Sequence, residues 1–208
     1  MKIAVIAANG RSGQAFVEMA LTKGHTIRAG VYGKSYLKPH PNLEVVNCDA
    51  TDSTHLTNLL GGQEAVVSFI GHIKGSKPSV QTTAMQELVK VMKDLGMSRI
   101  VSLTGTGVRF KGDNISIVDR ILNVSIRIID PKRINDGKRH VEVLQASDLK
   151  WTVIRVLKLQ NVAPRPFTLL EHGPTKFYVG RKEVAQAVLQ VLEQNSFLRQ
   201  APIICSQK

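Results

Sequence analysis

Seven apolar runs of strand length recur along the chain, and most are separated by a segment with helical spacing. They are KIAVIA (2–7), TIRAGVY (26–32), LEVVNC (43–48), EAVVSFI (64–70), RIVSLT (99–104), WTVIRVL (151–157) and APIIC (201–205). None alternates cleanly between apolar and polar, the pattern expected of strands covered on both faces. Segments with apolar residues three and four apart lie at 12–24, 55–62, 79–96, 135–147 and 181–195. Such alternation builds βαβ crossovers, so the chain is expected to be α/β: a Rossmann-like, doubly wound, mostly parallel sheet with helices on both faces. The run RPFTLLEHGPTKFYVG (165–180) reads as a small C-terminal extension, a β-pair or lid over the carboxyl edge of the sheet. The stretch 107–131 is the least readable, a loop with one irregular helix near ISIVDRILN (115–123).

Neither a fixed repeat nor a low-complexity linker divides the 208 residues, so one domain over 1–208 is expected. No apolar run approaches the ~20 residues that span a bilayer. A cytoplasmic protein without membrane association is therefore expected. The two cysteines, Cys48 and Cys205, suggest neither a disulfide framework nor a metal site, and no histidine pair has metal-ligand spacing. The net charge of +12 admits nucleic acid, an anionic membrane or a phosphate-rich ligand. The cations between Arg109 and Arg139 are mixed with apolar residues and have few aromatic neighbours. This favours a solvated face, or one turned to a small anionic ligand, over a nucleic-acid platform.

In an open parallel sheet, ligands sit beyond the carboxyl ends of the strands. The turn AANGRSG (7–13) follows the first strand and opens the first helix. Gly10 would let the backbone pass close to a pyrophosphate and Gly13 would let the helix pack on the strand. Amides from Asn9, Gly10, Arg11, Ser12 and Gly13 would grip the phosphates. Ala7 replaces the first glycine of the usual fingerprint, which requires its φ to stay negative. The second strand ends VYGKS without an acid to read a ribose. Lys34, helped by Arg11 and by Arg28 or Tyr32, offers positive charge for a 2′-phosphate, so NADP(H) is favoured over NAD(H).

On these residues the chain resembles the atypical short-chain dehydrogenase/reductase superfamily, in particular the small NAD(P)H-binding proteins of the biliverdin reductase B/flavin reductase and NmrA-like kinds. The carriers are AANGRSG, NCDATD (47–52), AVVSFIG (65–71), LVKVMKDLGMSRIVSLTG (88–105) and LQASDLKWTVIRVLKL (144–159). The resemblance implies that Asp49 and Ala50 border the adenine and that Gly71 passes near the nicotinamide-side ribose. It also implies that Thr104 and Gly105 line the nicotinamide pocket. Catalytic relatives hold a Ser and a Tyr-x-x-x-Lys pair. Here the serine place falls on Gly105, the tyrosine place on Arg133 or Ile134, and the lysine place on Gly137 or Lys138.

Ketone reduction needs a positioned general acid, whereas flavins and quinones delocalise the charge left by the hydride and need mainly orientation. The expectation is an NADPH-dependent reductase of a flavin- or quinone-like small-molecule acceptor, FMN included. Thr104 and Lys138 are its candidate catalytic residues, with Thr106 and Lys158 near the acceptor. The alternative is a non-catalytic, NmrA-like NADP-binding redox sensor that docks a protein partner. His72, following Gly71, is read as a surface or capping residue.

Overall fold

The computed structural model describes residues 1–73, 75–175 and 178–206. The chain opens with β1 (Lys2–Ile6), turns into α1 (Arg11–Thr22), returns as β2 (Thr26–Val31) and continues to β3 (Leu43–Asn47). After α2 (Ser53–Leu60) come β4 (Ala65–Ser68), α3 (Val80–Asp94) and β5 (Arg99–Gly105). Two consecutive helices, α4 (Ile117–Ile129) and α5 (Pro131–Gln145), lead to β6 (Lys150–Val156). The C-terminal part holds β7 (Leu159–Gln160), β8 (Phe167–Leu170), β9 (Val179–Gly180), α6 (Arg181–Glu193) and β10 (Ile203–Ser206).

Eight described strands form the main sheet in the order β3-β2-β1-β4-β5-β6-β10-β8. Neighbours are parallel except β8, which runs antiparallel to β10. The chain winds outward from β1 to β3, then crosses back to β4. The direction of winding thus reverses between β1 and β4, where such sheets open a crevice at their carboxyl ends. The side chains of β1 divide between the two faces, as a period of two requires. Ile3 and Val5 pack with Phe16, Val17 and Ala20 of α1 and with Val184 and Val188 of α6. Ala4 and Ile6 pack with Leu56 and Leu59 of α2, Met85 and Leu88 of α3, and Leu144 of α5.

The region after β5 departs most from expectation. The segment 107–131 contains a regular 13-residue helix, α4, whose Ser116 side chain accepts from the Asp119 amide. Helix α5 starts at Pro131, earlier than the 135 expected, because the Asp130 carboxylate caps it by accepting from the Arg133 amide. Proline suits that first helical position, where an amide hydrogen has no partner to give to. Within 165–180, β8 extends the sheet edge and β9 pairs with β7; Lys176 and Phe177 of that run lie outside the described residues.

Arg155 of β6 ties these late segments together. Its Nε donates to the Ala201 carbonyl at 2.6 Å, its two terminal nitrogens reach Asp113 at 2.5 and 2.8 Å, and one also donates to the Glu171 carbonyl. The guanidinium lies 4.7 Å over the Phe110 ring. Both cysteines are buried, and burial foremost, with Asp49 and Asp52 nearby, pushes the Cys48 thiol up to about 11. Among the described residues no helix is long and apolar enough to cross a membrane.

Candidate active site

The carboxyl end of β1 makes the tightest turn of the site. Ala8 donates its amide to the Gly30 carbonyl of β2, and Gly10 donates back to the Ala7 carbonyl. Closing this turn puts Ala7 at φ 57°, in the left-handed region and contrary to the negative φ expected of it. Helix α1 then rises directly from Gly10. A Cβ on Gly13 would stand 2.6 Å from the Ala7 carbonyl oxygen and 2.7 Å from that of Ala8, so only glycine allows this approach. No side chain caps α1 and no acid lies in its first turn. The amides of Arg11, Ser12 and Gly13 have no acceptor among the described residues. Unpaired amides at a helix start, with a glycine where backbone must come close, fit a phosphate of a dinucleotide.

Asn9 does other work. Its side-chain amide donates to the Lys34 carbonyl at 2.7 Å, while its Oδ1 accepts from the Tyr36 amide at 2.8 Å. It therefore clamps the loop after β2 to the glycine turn and fixes where Lys34 emerges. Lys34 and Tyr32 are exposed beside this turn. Arg28 is not with them. It bonds Glu44 at 2.6 Å and the Gly61 carbonyl at 2.7 Å, and it cannot reach an adenosine at the strand's other end. Asp49 turns one carboxylate oxygen back onto the amide and hydroxyl of Thr51, with half-buried Ala50 between them. These two residues flank the start of α2.

A cleft of about 430 Å³ runs from Ser12 past Gly71 to Thr104 and Gly105 at the end of β5. Gly71 has open space where a Cβ would be, with nothing nearer than Gln81 Nε2 at 4.0 Å. The far wall belongs to α5. Arg133, Ile134 and Gly137 all face the cleft, and a Cβ on Gly137 would come within 3.1 Å of the Thr104 hydroxyl. Lys138 is exposed and outside the cleft lining, since one helical step turns it away from the face that Gly137 presents. Thr106 also leaves the acceptor side: it is buried, and its hydroxyl accepts from Asn123 of α4 at 3.2 Å. Lys158 does line the cleft.

Behind α5 the polar groups are structural. Buried Asp136 accepts from the Gln81 and Thr82 amides at 2.9 and 3.0 Å, capping α3 from a neighbouring helix. His72 Nε2 lies 2.9 Å from the same carboxylate, though out of line for a hydrogen bond. The ring is 13% exposed, so His72 is not the surface residue expected of it. The Ser102 hydroxyl sits 2.8 Å from His140 Nε2, and burial pushes His140 down to about 4, so the ring is neutral near pH 7.

Three contributors escaped the sequence reading. Arg181, the first residue of α6, lines the cleft together with Ser12 and donates to the Asn161 side chain at 2.7 Å. Its pKa is lowered by burial first and then by the nearby charge of Arg11. The available signal was the sequence GRKEV, a helix start with adjacent cations. Asn123 and Ile126, on the inner side of α4, roof the cleft. They were hidden because the segment that carries them was not legible.

A family model described as NAD(P)H-binding matches residues 7–195. An uncharacterized chloroplastic protein of Arabidopsis thaliana is 26% identical over 216 residues, covering 94% of this chain and 74% of that one. Among solved structures, a short-chain dehydrogenase/reductase of Veillonella parvula in complex with NADP superposes with a TM-score of 0.82 at 18% identity, covering 98% of this chain and 93% of that chain. ChuY, an anaerobillin reductase of Escherichia coli O157:H7, superposes with a TM-score of 0.79 at 15% identity, covering 100% and 98%. The two structures share the fold.

Proposed function

The chain belongs to the NAD(P)H-binding family, and on that premise we propose that it is an NADPH-dependent reductase of a flavin- or quinone-like acceptor. The observation that carries this reading is the cleft wall opposite Thr104. By the resemblance the phenol's place falls on Arg133 or Ile134 and the lysine's on Gly137 or Lys138, and of these Arg133, Ile134 and Gly137 line the cleft while Lys138 does not. No tyrosine is among the residues that line the cleft, which favours an acceptor whose charge is spread over a ring.

When bound, the reduced nicotinamide supplies a hydride, and the acceptor gains it together with one proton from water. The chain's own residues supply position. The first-turn amides of α1 hold the diphosphate, with Arg181 across the cleft mouth. Lys34, placed by Asn9, stands beside the adenosine and favours a 2′-phosphate; Tyr32, Asp49 and Ala50 border that half. Gly71 admits the second ribose, while Thr104 and Gly105 form the floor under the nicotinamide. Arg133 and Lys158 offer cations to an acceptor that bears a phosphate, such as FMN. The roof formed by Asn123 and Ile126 keeps bulk water from the floor.

A redox-sensor role, in which NADP is bound and nothing is turned over, draws on the same missing groups. Calorimetric titration with NADPH and NADH, followed by anaerobic stopped-flow mixing with FMN and with a quinone, separates the two. Reductase activity predicts NADPH binding and loss of nicotinamide absorbance faster than in protein-free controls. Binding without turnover supports the sensor, and absence of heat with either nucleotide overturns both. Lys34→Glu is expected to weaken NADPH roughly tenfold or more while sparing NADH, because it removes a hydrogen bond between charged groups.

A further inference from the structure

Helix α4 presents an apolar stripe to the outside. Ile117, Ile121, Val124 and Ile128 recur at spacings of four, three and four residues, which stacks them on one face. They are 77%, 60%, 53% and 76% exposed, and Ile129, beside them, is 82% exposed. The opposite face is already used: Asp119 is fully buried against Arg109, while Asn123 and Ile126 roof the cleft. The stripe is thus not a core face displaced by misfolding. It is a second apolar face on a helix whose inner side is satisfied.

One edge of the stripe is cationic. Arg120 and Arg127 follow each other at seven residues along that edge, and both are exposed. The helix's one acid, Asp119, is buried on the far side. Contiguous apolar surface of this kind marks an interaction site, and isoleucines bordered by arginines match the boundary between headgroups and acyl chains. A second copy is a poorer occupant. Two such helices packed antiparallel would bring their cationic edges to the same side of the joint, where like charges repel. The net charge of +12 adds long-range attraction to an anionic surface and none to another copy of the chain.

We infer that the outer face of α4 seats the protein on an anionic lipid surface, with Ile117, Ile121, Val124 and Ile128 entering the interface and Arg120 and Arg127 meeting lipid phosphates. This revises the expectation of no membrane association, which rested on the absence of a spanning segment. It does not depend on the cofactor or on turnover. Docked this way, the roof of the cleft faces the lipid, and an acceptor dissolved there would have a short path to the floor.

The test is flotation of the full-length protein with vesicles of phosphatidylcholine alone or with about a third phosphatidylglycerol. It is run at low salt and again at about 0.15 M salt, where attraction between distant surface charges is screened. The wild type is expected to bind the anionic vesicles in both salts and the neutral ones weakly. Ile121→Ser with Ile128→Ser keeps the charge and should lower partitioning roughly tenfold per isoleucine. Arg120→Gln with Arg127→Gln should lower it roughly fivefold per cation on anionic vesicles only. These side chains are exposed, and circular dichroism confirms that each variant is folded. If the serine pair binds as the wild type does, adsorption is by charge alone and the proposal fails. It fails equally if sedimentation velocity shows a lipid-free dimer that the serine pair dissociates.

Discussion

Ala7 is the residue at which the glycine turn is most strained. Its φ of 57° places a Cβ where the left-handed conformation costs an L residue about 1–2 kcal/mol. Glycine escapes that cost but gives up some of the gain through its greater freedom in the unfolded chain. Ala7→Gly is therefore expected to stabilise the protein by about 1 kcal/mol, read as a rise in thermal midpoint; a fall would mean that the turn is held differently. The sequence could not show this strain. An alanine in place of glycine suggests an extended backbone, and only the paired bonds from Ala8 to Gly30 and from Gly10 to Ala7 force the opposite sign. Gly10 and Gly13 were legible because close approach leaves a residue type as its trace. Lys138 was misplaced for a related reason: the Tyr-x-x-x-Lys spacing fell on α5 but could not decide between adjacent residues that lie about 100° apart around a helix.

At the scale of elements, the parallel strands of the main sheet were legible, and α4 was legible only as an irregular helix near 115–123. Runs such as AVV (65–67) and IAVI (3–6) are apolar throughout because both faces of the sheet are covered, and that pattern survives in sequence. Helix α4 has one broad apolar arc, but that arc runs from outward-facing Ile117 and Ile121 round to inward-facing Leu122 and Ile126, so it does not mark the core side. The placing of β8 and the loop at 108–113 depends on long-range bonds converging on Arg155, which local patterns do not encode. Arg155→Met should lower stability by about 3–5 kcal/mol, because it leaves the Asp113 carboxylate buried without its partner. Urea denaturation measures the loss. Adding Asp113→Leu should recover part of it, and no recovery would place the cost in packing rather than charge.

The whole molecule should also carry a pH signature. His140 titrates near 6.5 in the unfolded chain and about 4 in the folded one, where burial disfavours its charged form. Between those values the unfolded state binds the proton and the folded state does not. The contribution is therefore intact above about pH 6.5, declines as pH falls toward 4, and levels off below that. The gap corresponds to about 3 kcal/mol. His140→Gln should flatten this part of the stability curve in denaturation series at several pH values, and an unchanged slope would assign it to another group. A different property follows from the placement of the sulfur atoms. With both native thiols in the interior, maleimide reagents have no surface target on the folded protein, so one cysteine engineered onto the exterior can carry a spin label or fluorophore without a cysteine-free background.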